Sequence, residues 1–345
     1  MDVPTKVNPV HWQACVEFGE SLLTTGDLDP IYIMLQRGID NNLLNRGSLC
    51  RWLWVYWLFY HAGVASYATD HDDWQNWLQE TLRTLPRGME RRHFRGKQAQ
   101  RTLIYFPCEE AIEAFFEKLC RCVTFNQVQD ACAPVPMFGP WITWKLADML
   151  ERLGLAKIEF PGSSLCIYAE VRKGAAVILK GDLKAPLNDQ ELDYVVSALK
   201  EQFSDWVAPP RSERPINVQE IETILCKYKA TQTGHYYVGK DCRDIKEALI
   251  GWGSLANTLA EYVPIPGDDI DIGIEEDKDL ADRDLCQIST ARLGELLETT
   301  EGHEGIPVSE ELIRRARAGD IQAQDVLATW DEWPEGIGNR QDVPI

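Results

Sequence analysis

The stretch Trp52-Leu-Trp-Val-Tyr-Trp-Leu-Phe-Tyr60 runs on through Ala62 to Ala65, interrupted by His61 and bounded by Arg51 and Asp70. No face of such a helix is left for water, so the fold must bury it on every side. It falls short of the ~20 apolar residues that a bilayer span needs. It therefore predicts a helix at the centre of a large body. The chain can supply that body, with 345 residues, 45% of them hydrophobic, and twelve Trp. His61, inside the run, reads as a satisfied core histidine, with proton transfer as its other reading.

Most of the remaining pattern is helical. Asp70 is placed to cap a helix reaching Leu85, with Trp74 and Trp77 on one face. Pro107-Cys-Glu-Glu110 opens a helix through Cys120, and Glu191 to Phe203 is amphipathic. Asn217 followed by Glu220 has the spacing of a capping box. The stretch Leu165 to Leu179 stays open: Cys166 to Val171 has strand-like residues, and Ala175 to Leu179 suits helix or strand. The ten cysteines include no Cys-x-x-Cys pair, so no metal ligand set is expected and packing roles are. Met1 to Lys6 has no apolar signal core, which points to a reducing cytoplasm and no membrane.

Charge is unevenly placed. The formal net charge is −19, yet Arg87, Arg91, Arg92, Arg95, Lys97 and Arg101 gather within fifteen residues, with Glu90 the one acid among them. Guanidinium groups match phosphate oxygens in a planar, bidentate way, and His93 adds a further donor. A solvated basic face paired with acids elsewhere is the alternative. From Asp268 onward there are 21 acids to 7 bases. The Pro264-Ile-Pro-Gly267 stretch marks a boundary between a body over residues 1–266 and an acidic, helical C-terminal region over 267–345. That region serves solubility, or mimics nucleic acid.

Two further segments carry chemistry. In Pro136-Met-Phe-Gly-Pro-Trp-Ile-Thr-Trp-Lys-Leu-Ala-Asp148, a turn at Gly139 feeds a helix with Pro140 at its start. Free N–H groups and the positive dipole end there suit one DNA phosphate. Trp141 and Trp144 should face the core, while Lys145 and Asp148 share another face, open to DNA or substrate. Between Lys227 and Asp241, the residues Lys227, Lys229, His235, Tyr236 and Lys240 interleave cations with rings, as backbone contact and base stacking require. A surface helix followed by a Gly-containing loop is the plain alternative.

Taken in order, Arg51-Trp52, Phe59-Tyr-His-Ala-Gly63, Glu90-Arg-Arg-His-Phe-Arg-Gly96, Gly139-Pro140, Glu222 to Lys229 and Gly234 to Asp241 resemble the phage amino-acid:DNA transferases. These are also called alpha-glutamyl/putrescinyl thymine pyrophosphorylases. The turn at Gly139 is similar to the hairpin of helix-hairpin-helix DNA glycosylases, with Met137 standing where those enzymes have the first hairpin Gly. The resemblance implies a mainly α, glycosylase-like fold that grips duplex DNA and extrudes a base. It implies that an amine of an amino acid or polyamine displaces pyrophosphate from a pyrophosphorylated 5-hydroxymethyl group on uracil in DNA. Its partners would be double-stranded DNA bearing that modified thymine, the small amine, and other phage modification enzymes, in the host cell cytoplasm. No cofactor is implied, although Mg²⁺ could accompany the pyrophosphate.

The residues suit that chemistry. A multiply charged leaving group asks for fixed cations, which Arg87, Arg91, Arg92, Arg95 and Lys97 could supply, with His93 as a proton source. The amine must lose a proton before it attacks. Asp148, Glu159, His61 and His235 are the candidate bases. Glu159 enters because in the glycosylases the catalytic Asp follows the second hairpin Gly by about twenty positions. A DNA glycosylase or lyase, and a non-enzymatic DNA-binding or DNA-mimic protein, are the competing functions.

Overall fold

The computed structural model describes residues 6–161 and 169–266. The proposed acidic appendage and the strand-like residues Cys166 to Tyr168 lie outside these. The described chain is helical: α1 (Pro9–Thr25), α2 (Pro30–Asp40), α3 (Arg46–Phe59), α4 (Ala62–Asp70), α5 (Trp74–Thr81), α6 (Gly96–Leu103) and α7 (Glu109–Cys120), then α8 (Phe125–Cys132), α9 (Pro140–Arg152), α10 (Ala169–Lys180), α11 (Asp189–Gln202), α12 (Val218–Thr231), α13 (Lys240–Leu249) and α14 (Ser254–Ala260). Among the described residues no strand forms. Two isolated bridges join Thr124 to Glu159 and Val207 to Pro215.

The apolar run forms most of α3, which lies against α4 and α7. Trp52, Trp54, Trp57 and Phe59 are at most 2% exposed. The run is not one helix, however. Tyr60 turns into the left-handed region at φ 52°, and His61 caps α4 by accepting the Val64 N–H at 3.2 Å. The left-handed turn costs about 1–2 kcal/mol. Its return is that the carbonyls ending α3 turn to meet the cationic segment. Gly88 N–H donates to Phe59 O at 3.0 Å, and Arg91 Nε–H donates to Leu58 O at 2.9 Å. A Cβ at Gly88 would stand 2.6 Å from the Tyr60 ring, so that approach requires glycine.

Three local expectations change. Asp70 ends α4, and it is Asp73 that precedes α5, which stops at Thr81. From Ala169 the ambiguous stretch is helix, fixed by its crossing with α12: a Cβ at Gly174 would lie 2.3 Å from Leu225 O. The box at Asn217 forms as expected, with Asn217 N–H donating to Glu220 Oε2 at 2.8 Å. Cys15, Cys50, Cys122, Cys132 and Cys242 are buried free thiols, in the packing role expected of them. Among the described residues no helix is long and apolar enough to cross a membrane.

Candidate active site

The cationic segment divides into inward and outward residues. Arg91 is 6% exposed; it donates to Leu58 O and, from Nη1, to Met137 O at 3.1 Å, and it stacks over Phe94. Burial lowers its guanidinium to about 10, so it stays charged at neutral pH. Arg87 donates to Leu82 O and lies over Phe59. Both are braces, which corrects their expected place among the phosphate ligands. Arg92, Arg95, Lys97 and Arg101 are exposed, and among the described residues none forms an ion pair. The alternative of a basic face paired with acids is thus not what the fold builds.

Arg91 also joins this segment to the turn before α9. Thr102 Oγ1 donates to Pro136 O at 3.2 Å, so the cationic segment and α6 hold that turn from two sides. Met137 adopts φ 60°, the left-handed geometry expected of a glycine at this position. Gly139 caps α9 with Pro140 first in the helix, as the sequence suggested. Its φ of −80° is open to any residue, so conformational freedom is not why glycine sits there. The space where its Cβ would project is empty. Gly139→Val should therefore leave the melting temperature within about 2 °C, since surface changes cost under ~0.5 kcal/mol. It should weaken DNA binding if a phosphate backbone passes that space, as a filter-binding titration would show.

Beyond the turn, Trp144 is 0% exposed as expected, and Trp141 packs partly buried against Tyr60 (5.3 Å between centroids) and Trp57 (6.3 Å). Lys145 and Asp148 do share a face, but it points inward. Lys145 Nζ pairs with Glu222 at 2.6 Å. Burial opposes its charge, yet Glu222, Asp29 and Asp148 hold it protonated above the usual ammonium range. Asp148 is fully buried, and its Oδ2 accepts the Tyr32 hydroxyl at 2.9 Å while Oδ1 has no partner. Burial pushes its carboxyl up to about 7 against the pull of Arg152 and Lys145. One turn further on, Arg152 pairs with Asp29 and Glu220 and donates to Pro209 O at 2.7 Å. Arg214 bridges Glu151 and Glu220. Four buried or half-buried cations and their acids thus form a network joining α2, α9 and α12.

The second basic segment is drawn into the same architecture. Lys227 pairs with Asp241 at 2.6 Å and donates to the Tyr236 hydroxyl at 2.8 Å. Asp27, fully buried, accepts from Tyr236, from Gly239 N–H and from Cys242 N–H, pinning the start of α13. Lys229 pairs with Glu170, and Lys240 with Asp244. These partners correct the expectation that Lys145, Lys227, Lys229, Tyr236 and Lys240 face DNA. Of that set, His235 is exposed.

The candidate bases scatter. His61 is a helix cap whose ring burial lowers to about 4, so it is neutral at physiological pH with its acceptor nitrogen engaged. Glu159 is exposed and joins Val123 and Phe125 through its backbone, so the twenty-residue spacing does not bring it to the buried network. His93 is exposed on the cationic segment. Sequence reasoning passed over Glu90. It lies in the 3-10 turn Met89–Arg91, open to water on one side and walled by protein on the others. Burial raises its carboxyl, and Asp241 raises it further, while Lys145 and Arg92 pull the other way. A cleft is thereby defined, with Glu90 and Asp241 on its lips, Lys145 deeper, and Tyr60 and Trp141 as an aromatic wall.

A helical body with a cation-rimmed, acid-lined cleft has the makings of a DNA-modifying enzyme, and sequence comparison supports this. The sequence profile of the amino acid:DNA transferase family matches residues 23–237. A glycinyltransferase of Pseudomonas phage PaMx11 is 34% identical, the match spanning 71% of this chain and 93% of the relative. A putrescinyltransferase of Delftia phage PhiW-14 is 28% identical over 72% of this chain and 82% of the relative. The chain belongs to the amino acid:DNA transferase family and is a transferase.

Proposed function

We propose that this transferase joins the amine of an amino acid or polyamine to thymine positions in duplex DNA that carry a pyrophosphorylated 5-hydroxymethyl group. The amine nitrogen bonds to the exocyclic carbon, and the carbon–oxygen bond breaks with its electrons going to the departing pyrophosphate. The observation that carries this reading is the row of exposed, unpaired cations at Arg92, Arg95 and Lys97, braced on the end of α3. They provide fixed positive charge where a leaving group gains negative charge, with His93 as a nearby donor. Mg²⁺ could accompany the pyrophosphate, and the setting would be the host cytoplasm.

The turn at Met137 and the start of α9 supply a glycosylase-like grip on one phosphate, with base extrusion bringing the reacting carbon to the aromatic wall. The relatives act with glycine and with putrescine by name, and both are candidate donors here. Release of pyrophosphate tests the reading. It should depend on the amine and on pyrophosphorylated DNA, and be absent with DNA carrying only 5-hydroxymethyluracil. Release without amine would favour a hydrolase instead.

A further inference from the structure

We propose that Glu90 and Asp241 form the seat of the incoming ammonium group, and that Glu90 takes its proton. The inference rests on the transfer reaction above and names the part of the cleft that selects its nucleophile. The cations of the cleft are already committed: Lys145 to Glu222, Lys227 to Asp241, and Arg152 to Asp29 and Glu220. Arg92, next to Glu90, spends a guanidinium N–H on Met89 O at 3.2 Å. Glu90 alone among these acids has no ion pair within the described residues. One turn past Lys145 on the same face of α9, Asp148 leaves a fully buried Oδ1 unpartnered. The cleft therefore carries uncompensated acceptor capacity on both sides of Lys145. That is the complement of an ammonium group, which brings three donors and no acceptor.

The placement is rigid. Glu90 is flanked by Gly88, clamped on Tyr60, and by Arg91, bonded to the end of α3. Asp241 sits in the first turn of α13, whose start Asp27 fixes through Gly239 and Cys242. Tyr60 and Trp141 offer ring faces to the carbon next to a cationic nitrogen. In the reaction, one N–H proton of the ammonium passes to the Glu90 carboxylate. The freed lone pair bonds to the exocyclic carbon, and pyrophosphate departs with the electrons of the broken carbon–oxygen bond. A glycine donor and a putrescine donor present the same ammonium, so the chemistry is shared and the assay must separate the two.

The test uses the full chain and three readings: calorimetric binding of glycine and of putrescine with DNA present, the KM for each amine, and the Kd for DNA. Glu90→Gln is the variant, with Glu90→Asp as the charge-retaining control. The side chain is open to water, so the melting temperature should not move. Glu90→Gln should weaken binding and raise KM about tenfold or more for the preferred amine, the range of a charge-assisted bond, with DNA affinity unchanged. Glu90→Asp should recover part of the loss. Amine affinity and KM within twofold of the parent would overturn the seat, as would a parent chain that binds neither amine. If the parent binds amine and Glu90→Gln loses it, yet no adduct forms on pyrophosphorylated DNA, the seat stands and the assigned reaction falls.

Discussion

Arg152→Ala should be the most damaging single substitution in the body, lowering stability by about 3–5 kcal/mol and the melting temperature by about 10 °C. Arg152 is 4% exposed and serves Asp29, Glu220 and the Pro209 carbonyl at once. Truncation strands these carboxylates in the interior with their desolvation cost uncompensated. The loss should also depend on pH. Asp148 already has a carboxyl raised by burial, and Arg152 is the largest influence holding it down. A carboxyl whose folded pKa lies above its unfolded value removes stability as pH rises between the two. Without Arg152 that gap widens, so the deficit should grow from pH 5 to pH 8. Thermal melts of parent and variant at both values check this. A deficit that shrinks with rising pH would mean that Asp148 is not the group responding.

The outward cations should behave in the opposite way. Replacing Arg92, Arg95 and Lys97 together with Ala should cut turnover by about a hundredfold or more, ~3 kcal/mol of transition-state stabilisation. The melting temperature should barely change, because none of the three side chains has a described ion-pair partner. Arg91→Ala belongs in the same experiment as a contrast. It should destabilise the fold, since Leu58 O and Met137 O each lose a donor. Turnover of the triple variant within tenfold of the parent would remove these cations from the leaving-group site.

The difference between Arg91 and Arg92 shows where sequence reasoning reached its limit. The cluster was legible because cations are conspicuous in an acidic chain. Which of them turn inward depends on carbonyls freed at the end of α3, and the break at Tyr60 that aims those carbonyls leaves no trace in a run that is apolar on all sides. The helix after Gly139 was legible from Pro140 and from the spacing of Trp141, Trp144 and Met149. The direction of its Lys145–Asp148 face was not, because the partner that turns it inward, Glu222, lies on α12 more than seventy residues later. The capping box at Asn217 was local and formed as read. Glu90 looked like dilution of a basic string, and its meaning comes only from Asp241, brought to it by the fold.

The central claim is the transfer itself. The direct measurement is to incubate the full chain with DNA carrying pyrophosphorylated 5-hydroxymethyluracil and isotope-labelled glycine or putrescine, then digest the DNA and weigh its nucleosides. The predicted result is a labelled thymidine adduct, with one pyrophosphate released for each adduct formed. Abasic sites in place of an adduct would show a glycosylase on this scaffold, and DNA recovered unchanged with either amine would contradict the transfer.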